Sequence, residues 1–319
     1  MKEKENLVEK NVEEKQEVEA NKYPHDSLQK VEDERLKFWG SYRIHNTLKL
    51  VILVLSLGIV LFAWVAIPKL ITGNAQAGIS FAITVAGLGA TYAYTVYVRK
   101  KFDRKMKVYF DLYFRSVNEY VYEDKVFSDV ELLTPGKITL DEFNECKLYK
   151  DVVESGSRGL TTFKCKGIEA SIVDCAGNIK AEKRIKPVFV GKMVRSKASY
   201  EGEKPVFVYL KGNERALPPT GIDEVKNVFE DQKMVVRSDY KDWKKVLNGS
   251  VMKALEGVKV DKILVDVAFA IYSGRVYIMM GYDDPLMVLP LQTEFDPKPT
   301  EIYKKDMAAI AKVLEALNK

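Results

Sequence analysis

Two long apolar stretches, followed by a change to short ones, organise this chain. Residues 50–67 read LVILVLSLGIVLFAWVAI and residues 77–98 read AGISFAITVAGLGATYAYTVYV, both without a charge. At about 1.5 Å per residue the first covers nearly the ~30 Å hydrocarbon core, and the second can cross with some tilt. The pattern predicts two adjacent transmembrane helices joined by the short loop 68–76. Before them, 27–46 predicts a helix leading to the bilayer, with Ser27 as its N-cap. After them Phe102, Met106, Tyr109, Phe110, Tyr113, Val117, Tyr120 and Val121 recur at three- and four-residue spacing, predicting an amphipathic helical stalk.

From about Leu133 the apolar runs shorten, gain β-branched residues and are separated by Gly, Pro, Asn and Asp. Strands are expected at 161–166, 168–174, 188–194, 206–210, 263–272 and 275–282. The last two form the clearest hairpin, with Val265, Val267, Phe269 and Ile271 alternating and Ser273-Gly274 as the turn. Helices are expected at 242–257, ending on Gly257, and at 300–317. Strands mixed with a few helices, without βαβ alternation, give an α+β fold class with a mixed or antiparallel sheet. The pentapeptide Lys-Pro-Val-Phe-Val occurs twice, at 186–190 and 204–208, which suits the starts of two edge-proximal strands. The organisation read from these patterns is a charged tail (1–26), a juxtamembrane helix (27–49), the two spans (50–98), a stalk (99–128) and an α+β domain (129–319).

Charge orients the spans. Lys37, Arg43 and Lys49 precede the first; Arg99, Lys100, Lys101, Arg104, Lys105 and Lys107 follow the second; the loop between holds only Lys69. The positive-inside rule then predicts a multi-pass protein of the cytoplasmic membrane with both termini inside. Trp39, Tyr42, Tyr92, Tyr94 and Tyr97 fit an aromatic belt at the inner headgroup level. Gly78, Ala82, Ala86 and Ala90 form a stripe of small side chains suited to close helix packing, against the first span or, alternatively, in self-association. Neither span carries an ionisable residue, which argues against a channel or transporter made of this chain alone.

Several phrases together resemble the bacterial membrane-protein family called domain of unknown function 3137. They are YKDVVESGSRGLTTFKCKGIEA at 149–170, VFVGKMVRSKAS at 188–199, VFEDQKMVVRSDYKDW at 228–243 and VAFAIYSGRVYIMM at 267–280, downstream of two adjacent spans. The resemblance implies the architecture and no activity. The long charged N-terminal tail departs from the family pattern, as does a shortened region around 215–223.

The side chains available for chemistry exclude most catalytic classes. The net charge of +5, without a recognition motif, does not suggest nucleic acid. The only histidines, His25 and His45, precede the first span, so Ser-His-Asp, Cys-His and HExxH systems are not available to the α+β domain. Gly136-Lys137 and Gly191-Lys192 lack the spacing of a phosphate loop, and no GxGxxG follows a strand. Cys146, Cys165 and Cys175 match no zinc or redox spacing and read as buried reduced thiols. Asp283, Asp284, Glu294 and Asp296 could form an oxygen-rich metal site, but Asp-Asp-Pro reads better as a strand-ending turn. No cofactor is expected. The expected function is a non-enzymatic, membrane-anchored interaction or scaffold domain with the bilayer and a protein partner. The alternatives are an accessory subunit of a membrane transport or envelope complex, or a carboxylate-based enzyme.

Overall fold

The computed structural model describes residues 23–71, 75–133, 136–181, 184–212, 215–283 and 289–319. Two long helices open the described chain, α1 (Asp26–Ile71) and α2 (Ala75–Val121). The segments expected as juxtamembrane helix and first span therefore run on as one helix, and those expected as second span and stalk as another. Ser27 lies just inside α1 rather than capping it. Its hydroxyl donates to the Ser116 carbonyl at 2.9 Å, and its backbone N–H is accepted by His25 Nδ1 at 3.1 Å.

The chain divides into two compact units, one comprising Met1–Ser27, Phe114–Val288 and Asp296–Lys319, the other Leu28–Tyr113 and Leu289–Phe295. In the second, helical unit, aromatic side chains join α1 to α2. Phe38 stacks on Tyr109 with ring centroids 5.3 Å apart and tilts against Phe102 at 5.4 Å. The short segment 289–295 is held by Tyr109, whose hydroxyl donates to the Pro290 carbonyl at 2.7 Å, and by Glu32, which accepts the Phe295 N–H at 3.0 Å.

Among the described residues α1, in its part Asp26–Phe62, is the one helix long and apolar enough to cross a membrane, and almost none of its apolar stretch is buried. The second apolar run lies in α2 but does not meet that test among the described residues. One spanning helix of the expected two is therefore supported. The small-residue stripe does not lie against α1 in the single chain, which leaves it open to another helix. Ala82, Ala86 and Ala90 are exposed and Gly78 is half-buried. The face of α2 that meets α1 carries Gly87, where an added Cβ would lie 3.8 Å from Ile59.

The sheet unit contains one nine-stranded sheet, antiparallel throughout, in the order β1-β2-β3-β4-β9-β8-β5-β7-β6. Its strands are β1 (Phe127–Leu132), β2 (Val152–Cys165), β3 (Ile168–Ala181), β4 (Arg184–Lys197), β5 (Val206–Leu210), β6 (Asn227–Glu230), β7 (Met234–Ser238), β8 (Leu264–Tyr272) and β9 (Arg275–Tyr282). The α+β class is thus met, with β5 and β9 at their expected bounds. β1, β6 and β7 are additions, too short or too polar to announce themselves. The helices are α3 (Leu140–Asn144), α4 (Trp243–Val246), α5 (Gly249–Glu256) and α6 (Lys298–Leu317).

Alternation puts the two sides of the sheet into two cores. Val173, Phe189, Met193, Phe207, Ala268, Ala270 and Met279 pack with Phe143, Leu148 and Tyr149 on one face. On the other side α6 buries Tyr303, Met307, Ile310 and Leu314, and the Cys165 thiol reaches the Ala311 carbonyl at 3.7 Å. With both faces covered, every residue of β8 is buried. Its hairpin with β9 turns through Ser273 and Gly274 at φ 49° and 70°, the left-handed pair that a two-residue hairpin turn of this hand needs.

Two expectations about the sheet unit change. The single helix over 242–257 is split, because Leu247 leaves helical geometry and the Asn248 side chain accepts the N–H groups of Ser250 and Val251, starting α5 afresh. The unit also begins earlier than residue 129. Val117 and Val121 at the end of α2 are buried, and Asn118 Nδ2 donates to Thr161 Oγ1 at 2.8 Å. Pro187 sits inside β4, in the part of that strand that pairs only with β3.

Candidate functional site

The acidic residues flagged by the sequence are engaged separately. Asp283 pairs with Arg215, and Asp296 accepts the Lys298 N–H at 3.0 Å, as a turn-forming aspartate does. Glu294 belongs to the helical unit, and Asp284 lies outside the described residues. Among the described residues no group of three or more His, Cys, Asp or Glu could hold a metal ion. The three cysteines are buried and unpaired with one another. Burial pushes the Cys146 and Cys165 thiols up to about 11 and Cys175 well above its usual range, the opposite of an activated nucleophile.

The most unusual polar group of the sheet unit is Lys192. Strand alternation turns it inward, onto the face covered by α6, where it is 4 % exposed. Such burial is tolerated only with a partner. Lys192 and Asp174 are direct cross-strand neighbours and their side chains form an ion pair. The Lys192 ammonium also lies 4.2 Å from the centroid of the Tyr303 ring. Tyr303 shares a 2.8 Å hydroxyl hydrogen bond with Tyr122, and Tyr282 donates to Asp306 at 2.9 Å. Burial raises all three phenols, and it lifts the Asp306 carboxyl to about 7. A cavity of about 270 Å³ opens beside this cluster, lined by Ser157, Arg158, Asp174, Gly191, Lys192 and Tyr282, with Arg158 3.8 Å from Asp174. One carboxylate between two cations holds the cluster in place. The available signal in the sequence was a lysine at an inward position of an apolar strand.

A broader concavity of about 580 Å³ lies on the opposite face, towards β1, β2, β3 and β4. Its walls alternate in sign. Lys164 pairs with Asp129 at 2.7 Å, Lys197 with Glu169 at 2.7 Å, and Arg195 with Glu142 at 2.9 Å. Tyr277 forms part of the floor and donates to Glu145 at 3.2 Å, with Arg275 3.5 Å from the same carboxylate. Exposed pairs like these contribute little to stability, about 0–1 kcal/mol each. They can exchange partners with a charged ligand at low cost.

No family model matches the chain, and no curated protein matches it. Among solved structures, the chain is similar to the mycobacterial trehalose monomycolate transport factor A at 9 % identity and a TM-score of 0.36. That match covers 64 % of this chain and 94 % of the other. A likeness at that level carries no argument about what this chain does.

Proposed function

We propose that this protein is a membrane-anchored binding module, in which α1 and α2 cross the bilayer as a hairpin, both termini are cytoplasmic, and the sheet unit holds a protein partner without turning over a substrate. The observation that supports the anchor most is the exposed apolar surface of α1. Leu50, Leu53, Leu57, Leu61 and Trp64 are all more than half exposed. At about 25 cal/mol per Å² of apolar surface left in water, a run of such side chains strongly favours lipid. The same reading takes the chain as a relative of the family called domain of unknown function 3137. Binding is favoured over catalysis because the broad concavity beside β1–β4 offers paired charges, and the sheet unit has no histidine downstream of α1. Tethering raises the local concentration of a membrane-bound partner, so modest affinity suffices.

A second reading, an accessory subunit of a transport or envelope complex, is favoured by the exposure of Ala82, Ala86 and Ala90 on α2. Affinity capture of the full chain from detergent-solubilised membranes separates the two. A partner bound by the sheet unit is expected to be lost on reversing Arg195→Glu and Arg275→Glu and retained with Ala86→Leu. The converse outcome selects the complex-subunit reading. A substrate turned over by the purified chain would overturn both.

A further inference from the structure

We propose that a cleft between α1 and α2 binds the phosphate headgroup of an anionic phospholipid, with Lys101 and Lys105 as its cations and His45 as its buried hydrogen-bonding group. This rests on the membrane hairpin proposed above and adds a ligand to it.

The cleft has a volume of about 280 Å³, and Ser41, His45, Lys101 and Lys105 line it together with Tyr94 and Tyr97. His45 is 6 % exposed and lies flat on Phe102, ring centroids 4.3 Å apart and planes within 7°. Its Nδ1 is buried and has no hydrogen-bond partner among the described residues. Leaving a buried polar atom unpaired costs about 1–3 kcal/mol, a cost that a bound acceptor or donor removes. Burial, and then the nearby Lys49, lower the affinity of His45 for a proton, while Asp103 acts the other way. Lys105 reaches across from α2 to donate to Ser41 on α1 at 2.7 Å, which brings its ammonium to the cleft.

The remainder of the lining makes the ligand a lipid rather than a free anion. Leu48 and Tyr97 are among the lining residues; Leu48 lies two residues before the first apolar run and Tyr97 at the end of the second. Under the hairpin reading this is headgroup depth on the cytoplasmic side, where basic clefts between helices take anionic lipid heads and aromatic side chains mark the interface.

The test uses the full chain in lipid nanodiscs with labelled histidine, since its two histidines give separable ring signals and His25 serves as an internal control. Discs of phosphatidylcholine alone are compared with discs containing increasing phosphatidylglycerol. The expected result is a saturable movement of the His45 ring signals with phosphatidylglycerol and none for His25. The double variant Lys101→Gln/Lys105→Gln should need several-fold more phosphatidylglycerol for the same movement. Identical His45 signals in both lipids would overturn the proposal, as would an unchanged response in the double variant. So would reproduction of the shift by inorganic phosphate added to phosphatidylcholine discs. A chain that fails to enter discs at all would instead bring down the hairpin reading, and this inference with it, before any signal is read.

Discussion

Lys192 of β4 and Asp174 of β3 face one another directly across the ladder and form an ion pair beneath the Tyr303 ring, on the side of the sheet that α6 covers. Removing one member leaves the other buried. Lys192→Met is therefore expected to destabilise the protein by about 2–4 kcal/mol, somewhat under the usual cost of breaking a buried pair because Arg158 stays near Asp174. Adding Asp174→Asn should recover most of that loss, and urea denaturation of the two variants measures it.

Tyr282 and Asp306 predict a pH dependence. Burial raises the Asp306 carboxyl to about 7, against an ordinary value near 3.8. A carboxyl that holds its proton more tightly when folded contributes its stability in full below the unfolded value, and loses it as pH rises through the folded one. The stabilising effect of Asp306→Asn, whose side-chain oxygen can still accept from Tyr282, should therefore grow from about pH 4 to pH 7 and level off above. Melting temperatures of wild type and variant across that range provide the check. A pH-independent difference would mean that Asp306 ionises normally.

Much of this was legible in the sequence, and the misses have physical causes. The β8–β9 hairpin could be read because alternation and a Ser273-Gly274 turn agree with one another. α6 and β5 were equally clear, since a long amphipathic period and a compact β-branched run are the strongest local signals. β6 and β7 are four and five residues long with polar neighbours, and β7 enters the sheet by pairing with the more distant β5, Val206 opposite Ser238. The break before α5 depends on one capping asparagine inside an otherwise helical pattern. The acidic quartet was suggested by nearness in sequence, whereas the Lys192 cluster gathers residues from β2, β3, β4, β9, α6 and the turn just after α2, which no local pattern brings together.

The end of α2 sets where a stable fragment can begin. Phe114, Val117, Val121 and Tyr122 are all buried. At about 1.5–3 kcal/mol each, four such side chains amount to about 6–12 kcal/mol, the size of a typical domain's whole stability. A fragment starting at Phe114 is expected to melt cooperatively, and one starting at Asp129 is expected to stay molten or aggregated. Calorimetry of the two compares them directly, and equal cooperative melting would place the stalk outside the core.

Thiol chemistry follows from burial. Cys146, Cys165 and Cys175 are all buried with raised thiols, so a disulfide reagent should titrate close to none of them in the native protein and all three in denaturant. A fast native reaction at any one would point to an accessible, activated thiol. The same burial means that these cysteines report nothing about which side of a membrane they occupy.

Topology tests the central claim most directly, and it needs cysteines placed for the purpose. Gly73→Cys lies between the two apolar runs and Lys319→Cys at an exposed C-terminal position of the sheet unit. With an impermeant maleimide on intact cells, the two-span account predicts labelling of Gly73→Cys, and labelling of Lys319→Cys only after the membrane is opened. Labelling of Lys319→Cys in sealed cells, or protection of Gly73→Cys, would contradict a hairpin that holds the sheet unit on the cytoplasmic side.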